Sequence, residues 1–210
     1  MAKISSTKLS FKNNWFLFLI LLVEGGSLMA VELIGAKLIA PFYGNSVYVW
    51  AAVLATTLGG LTIGYYAGGR LSLKHPTINN LLKIVAVSSV LVFLMPTVSG
   101  IVMTATLGIE DLRTGIVLSC VVFLTPILVT FGMVGPMTVR LMTTTVENVG
   151  KVAGTVYFTS TVGGIFTTFL FGFYLIPFIG LKTSSYIVGA SLALLPIIAF
   201  LSPGIRKSQE

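Results

Sequence analysis

Six stretches of this chain run for about 19 residues or more with few or no charges: Trp15 to Ala40, Ser46 to Gly69, Leu81 to Met103, Thr114 to Val139, Val152 to Ile176 and Thr183 to Leu201. At about 1.5 Å of rise per residue, each can cross the ~30 Å hydrocarbon core of a bilayer as a helix. In lipid the backbone must satisfy its own hydrogen bonds, which favours helices over irregular chain. Composition agrees: 55% of the 210 residues are hydrophobic and 9% are charged, against roughly 25% charged in soluble domains. An ordinary water-soluble enzyme is excluded. The expectation is an all-α integral membrane protein with a tail over 1–14, six transmembrane helices within 15–201 and a second tail over 202–210.

Basic residues set the orientation. Lys3, Lys8, Lys12, Arg70, Lys74, Lys83, Arg140, Lys151, Arg206 and Lys207 fall on one side of six alternating spans; Lys37, Arg113 and Lys182 fall on the other. Both termini are therefore expected in the cytoplasm, in a cell (inner) membrane, with the net charge of +7 set beside anionic headgroups. The bias also disfavours an antiparallel pair, so a homo-oligomer should be parallel. A cleaved signal peptide is the rival reading of the first span, but the run is long, holds two glutamates and lacks a small-x-small cleavage site. The basic residues are dispersed, with no nucleic-acid motif, so nucleic acid is not an expected partner; the lipid bilayer is.

Glycines mark the packing faces. Gly60, Gly64 and Gly68 recur every four residues in the second span, and Gly164, Thr168 and Gly172 repeat the spacing in the fifth. Such stripes let helices approach where lipid removes the usual hydrophobic drive. Thr57-Leu58-Gly59-Gly60-Leu61 and Thr161-Val162-Gly163-Gly164-Ile165 are near equivalents in spans of opposite direction. That is the pattern of a three-plus-three inverted repeat, or of glycine packing that simply recurs. Pro126, Gly132, Gly135 and Pro136 predict that the fourth span bends or breaks twice.

Ionisable groups inside a span are functional candidates. Glu24 lies about 14 Å along the helix from Trp15, near the bilayer midplane. Glu32 follows about 12 Å further and about 80° around, on the same broad face. The pair could relay protons or bind a cation; Glu32 could equally be a carboxyl that locks the bundle. Lys37 is about 140° from Glu32 and is expected to snorkel outward. Ser160, Gly164, Thr167 and Thr168 share a face of the fifth span that either lines a polar path or packs, with Tyr157 in the same region. Cys120 is expected to fill space and His75 to be a solvated loop residue. No nucleophile with a base, phosphate loop or metal cluster can be assembled, so no cofactor, metal or catalytic residue is expected.

The run Glu32-Leu33, Lys37, Ala40-Pro41-Phe42-Tyr43-Gly44-Asn45-Ser46-Val47-Tyr48-Val49-Trp50 resembles the start of the membrane domain of spermidine synthase-like membrane proteins. Gly60-Leu61, Gly64 and Gly68-Gly69-Arg70-Leu71 continue the likeness, as do Gly135-Pro136, Arg140-Leu141, Val149 to Gly154, Tyr157 and Gly172 to Pro177. The resemblance implies a half-transporter of the major facilitator type that handles a small, cationic, polyamine-like metabolite. It departs in two ways: the soluble aminopropyltransferase-like domain is absent, and Lys37 stands where the pattern has arginine. Glu24 lies outside that pattern.

Two functions follow as expectations. One is translocation or handling of a small cation, with Glu24, Glu32, Tyr157, Ser160 and Thr167 as site residues. The other is a non-transporting scaffold that docks a separately encoded soluble synthase-like subunit or joins a larger hetero-complex. Six helices rarely enclose a transport path alone, so an oligomer or complex is expected in either case.

Overall fold

The computed structural model describes residues 11–143 and 145–202, so most of the two tails, with Lys3, Lys8, Arg206 and Lys207, lies outside the described residues. The described chain is α-helical, without a strand. In order come α1 (Phe11–Tyr43), α2 (Val47–Lys74), α3 (Ile78–Thr106), α4 (Leu112–Met142), a short 3-10 turn (Val146–Asn148), α5 (Val149–Leu170), a π-helical segment (Phe171–Leu175) and α6 (Ile176–Leu201).

Five segments are long and apolar enough to cross a membrane: α1 to α4 and the continuous run Val146–Leu201 of 56 residues. That run is interrupted at Gly180, whose φ of 79° and ψ of 171° are non-helical. Such a conformation is essentially confined to glycine. Pro177, between the fifth and sixth apolar stretches of the sequence, lies inside this helical run, three residues before the break at Gly180.

Local signals explain the ends. Gly44, at φ 77°, donates to the Ala40 carbonyl at 2.9 Å and closes α1. Ser46 caps α2 and Thr77 caps α3, each accepting from a backbone N–H three residues on. Asp111 caps α4, accepting from the Thr114 amide at 3.1 Å and its hydroxyl at 2.6 Å.

Of the bends or breaks expected in α4, no break occurs: the helix continues through Pro126 and Pro136. A proline removes only its own N–H and frees one carbonyl, a local loss that neighbouring helices and hydroxyls make up in a membrane bundle. Of the two glycines in this stretch, Gly132 serves contact: a Cβ there would stand 2.7 Å from the Leu61 carbonyl oxygen and 3.0 Å from the Gly64 Cα, whereas nothing lies within 4 Å of one on Gly135.

α1 runs through the middle and touches every other helix, with Phe16, Leu17, Ile20, Leu21, Val31, Ile34 and Ile39 fully enclosed. α2 and α4 lie side by side in the same direction, since Gly60 meets Leu128, Gly64 meets Gly132 and Gly68 meets Met133. α3 and α6 are antiparallel: Ser89 donates to the Gly189 carbonyl and Ser185 to the Val92 carbonyl, both at 2.8 Å. The outer surface is apolar, with Leu58, Phe158, Phe166, Phe169 and Phe173 all more than half exposed, as suits a lipid-facing surface.

Candidate functional site

Glu24 sits on α1 and is 5% exposed. The next two residues explain what faces it. A Cβ on Gly25 would collide with the Ser160 carbonyl and hydroxyl, and one on Gly26 with the Thr167 hydroxyl; across the contact, a Cβ on Gly163 would strike the Leu22 carbonyl. Glycines on both helices thus let α1 and α5 cross backbone to backbone. The crossing brings the Ser160 hydroxyl within 3.5 Å of Glu24 Oε2, to which it donates. That is the long limit of a hydrogen bond, so the carboxyl is weakly held.

The carboxyl lines a cavity of about 40 Å³ built by α1, α2, α4 and α5, with Leu61, Tyr65, Phe131, Gly135, Tyr157 and Ser160 among its walls and no Lys or Arg. A cavity of this size holds a water molecule. Leu28, Tyr65, Tyr157 and Ser160 also border a larger groove of about 350 Å³, continued by Thr161, Gly164, Thr168 and Phe169. Tyr157 is 52% exposed, so the groove is open on the outside of α5.

The expected site residues divide. Glu24, Ser160 and Tyr157 come together. Thr167 lies on the other side of α1, in a separate cavity of about 430 Å³ between α1, α5 and α6 with Ser27, Phe171 and Ser191. One residue step turns a helix about 100°, so at a tight crossing Gly163 and Thr167 pass one side of α1 while Ser160, Gly164 and Thr168 pass the other. Glu32 lines none of these cavities; it is half-buried with the Thr57 hydroxyl beside it.

Of the glycines expected to pack, Gly60, Gly64 and Gly68 face α4, and Gly164 faces Met29 and the Gly25 carbonyl. Gly172 faces open space, with nothing within 4 Å of a Cβ placed there. Gly172 lies at the start of the π-helical segment Phe171–Leu175, where the α-helical stripe ends. Tyr65, Phe131 and Gly135 were not singled out from the sequence as neighbours of Glu24. The Gly25-Gly26 pair was the available signal for a close approach, but the approaching helix could not be read from it.

Among the described residues no group of three or more His, Cys, Asp and Glu side chains could hold a metal ion. Comparison with models of protein families, with curated proteins and with solved structures finds no match to this chain.

Proposed function

We propose that this chain is a six-crossing half-transporter with cytoplasmic termini that binds and hands on a small cation or proton through Glu24. The observation that carries the proposal is a carboxyl enclosed by four helices, weakly held by one hydroxyl, in a cavity without a basic residue and bordering an open groove. A carboxyl in a membrane interior is expensive to keep and marks an ion or substrate path.

Six crossings are supported by the Val146–Leu201 run. Its 56 residues would extend about 84 Å as one helix, nearly three times the ~30 Å core, and Gly180 breaks it. The three-plus-three reading is supported by packing: α2 meets α4 through glycines, and α5 meets α1 through glycines. Exchanging the first three helices with the last three turns one contact into the other and leaves the α3–α6 pair in place. The groove is lined by α1, α2 and α5 and is open on the outside of α5, so a second, parallel copy would cover it, in keeping with the bias of basic residues to one side. The residues resembling spermidine synthase-like membrane proteins add Glu32 as a second carboxylate on α1.

The test is flux of protons and small organic cations in vesicles holding the purified protein. Glu24→Gln should abolish flux, and Glu32→Gln should reduce it. If both variants move every tested cation as the parent does, the proposal is wrong.

A further inference from the structure

We infer that the Glu24 site, if it takes an organic cation as proposed above, is built for a monocation with an apolar tail: a primary ammonium at Glu24 and a hydrocarbon or aromatic portion along the groove. The inference rests on the reading of Glu24 as a cation site and concerns which class of cation fits.

The first constraint is size. At about 40 Å³, the chamber beside Glu24 admits a group the size of a water molecule or two. An –NH3⁺ group fits; a trimethylammonium head, which carries three methyls in place of three protons, does not. An –NH3⁺ group also brings the donors that Glu24 lacks, since Ser160 supplies a single bond at 3.5 Å, and charge-assisted bonds are the stronger kind.

The second constraint is charge. The groove of about 350 Å³ is of small-molecule size, and its lining holds Met29, Ile165 and Phe169 but no carboxylate. The Thr168 hydroxyl is already committed to the Gly164 carbonyl at 2.8 Å. Glu32 lies in neither space. A second ammonium on the same ligand would therefore rest in an apolar groove without a counter-ion, an arrangement that desolvation opposes strongly. A diamine or longer polyamine matches the chamber but not the groove.

The third constraint is the passage between the two spaces. Tyr65 and Tyr157 border both, so a ligand that reaches Glu24 from the groove passes two aromatic side chains, which attract ammonium groups and pack against apolar chains. With Tyr157 52% and Phe169 60% exposed on the outside of α5, the tail can enter sideways from the bilayer.

The experiment is calorimetric titration of the full chain in lipid nanodiscs with n-octylammonium, methylammonium, n-octyltrimethylammonium and spermidine. Octylammonium should bind saturably above the background of empty discs. Glu24→Gln should weaken it at least about tenfold, the equivalent of one charge-assisted hydrogen bond. Thr161→Leu, which fills the groove and leaves the chamber intact, should weaken octylammonium while sparing methylammonium. The trimethyl compound should bind at least about tenfold more weakly, and spermidine should not displace octylammonium at equal concentration. Spermidine binding that depends on Glu24 and exceeds octylammonium overturns the inference and leaves Glu24 as a cation site. Binding of all probes unchanged in both Glu24→Gln and Thr161→Leu overturns the inference together with the proposed organic-cation function.

Discussion

Gly64→Ala puts the packing of α2 on α4 to a quantitative test. A Cβ at this position would stand 2.8 Å from the Gly132 Cα and 3.1 Å from the Gly132 carbonyl carbon, and would collide with the Val129 carbonyl oxygen. All three obstacles are backbone, so no side chain can rotate away. Carbon atoms rest at about 3.5 Å or more, so the helices would have to part by about 0.7 Å, enough to forfeit between a quarter and a half of the attraction of each contact. Gly60, Gly68 and Gly132 are similarly close-set, and the whole seam shares that loss. Overpacking costs about 1–3 kcal/mol; the rigid obstacles argue for about 3. Alanine's better helix propensity returns up to about 1 kcal/mol, for a net loss of about 2.

Gly59 is the control. It neighbours the stripe on the same helix, and nothing lies within 4 Å of a Cβ built there. Gly59→Ala should therefore be neutral or stabilise by up to about 1 kcal/mol. The two variants can be compared by titrating SDS into mixed micelles and following the helical signal by far-ultraviolet circular dichroism. They should straddle the parent and differ by about 3 kcal/mol. A difference below about 0.5 kcal/mol, the scatter of ordinary surface substitutions, would refute the backbone contact between Gly64 and Gly132.

Three further outcomes follow from other contacts. The Tyr43 hydroxyl donates to Thr106 Oγ1 at 2.8 Å, which lies 2.7 Å from Ser119 Oγ; Tyr43→Phe should lower stability in the same titration by about 0.6–1.5 kcal/mol, and no change would mean that the three hydroxyls do not act together. Gly180→Ala should destabilise by about 1–3 kcal/mol because alanine is strained at this φ and ψ, whereas Gly172→Ala, into open space, should not. At the α4 N-terminus, bonds from the Thr114 hydroxyl and amide hold the Asp111 carboxyl below the usual carboxylate range. A lowered folded-state pKa stabilises the fold above the unfolded value of about 4, and that contribution is lost as pH falls through the folded value. The difference in unfolding midpoint between the parent and Asp111→Asn should shrink toward zero below that window; a difference that stays constant with pH would show that the carboxylate's charge plays no part in the cap.

The helical character and the positions of the elements were legible because both depend on short stretches of chain. A span needs only about 20 apolar residues; the caps at Ser46, Thr77 and Asp111, which set where the helices start, come from the structure. The depth of Glu24 within an apolar run was legible as the spans were, but not that its side chain turns into the bundle. The unbroken α4 was not legible, because the consequences of Pro126 and Pro136 depend on neighbouring helices.

By itself, then, the sequence determined that the chain is a bundle of membrane-length helices with a carboxyl in the interior of the first. Tertiary structure alone decided that Ser160 and Tyr65 face Glu24, that Thr167 and Glu32 lie elsewhere, and that Gly172 packs on nothing. The physical reason is rotational. In water one apolar stripe shows which way a helix turns, but a helix apolar all round carries no such mark. Its facing is settled by where backbones can approach most closely, and at Gly25, Gly26 and Gly163 that is a property of two helices at once.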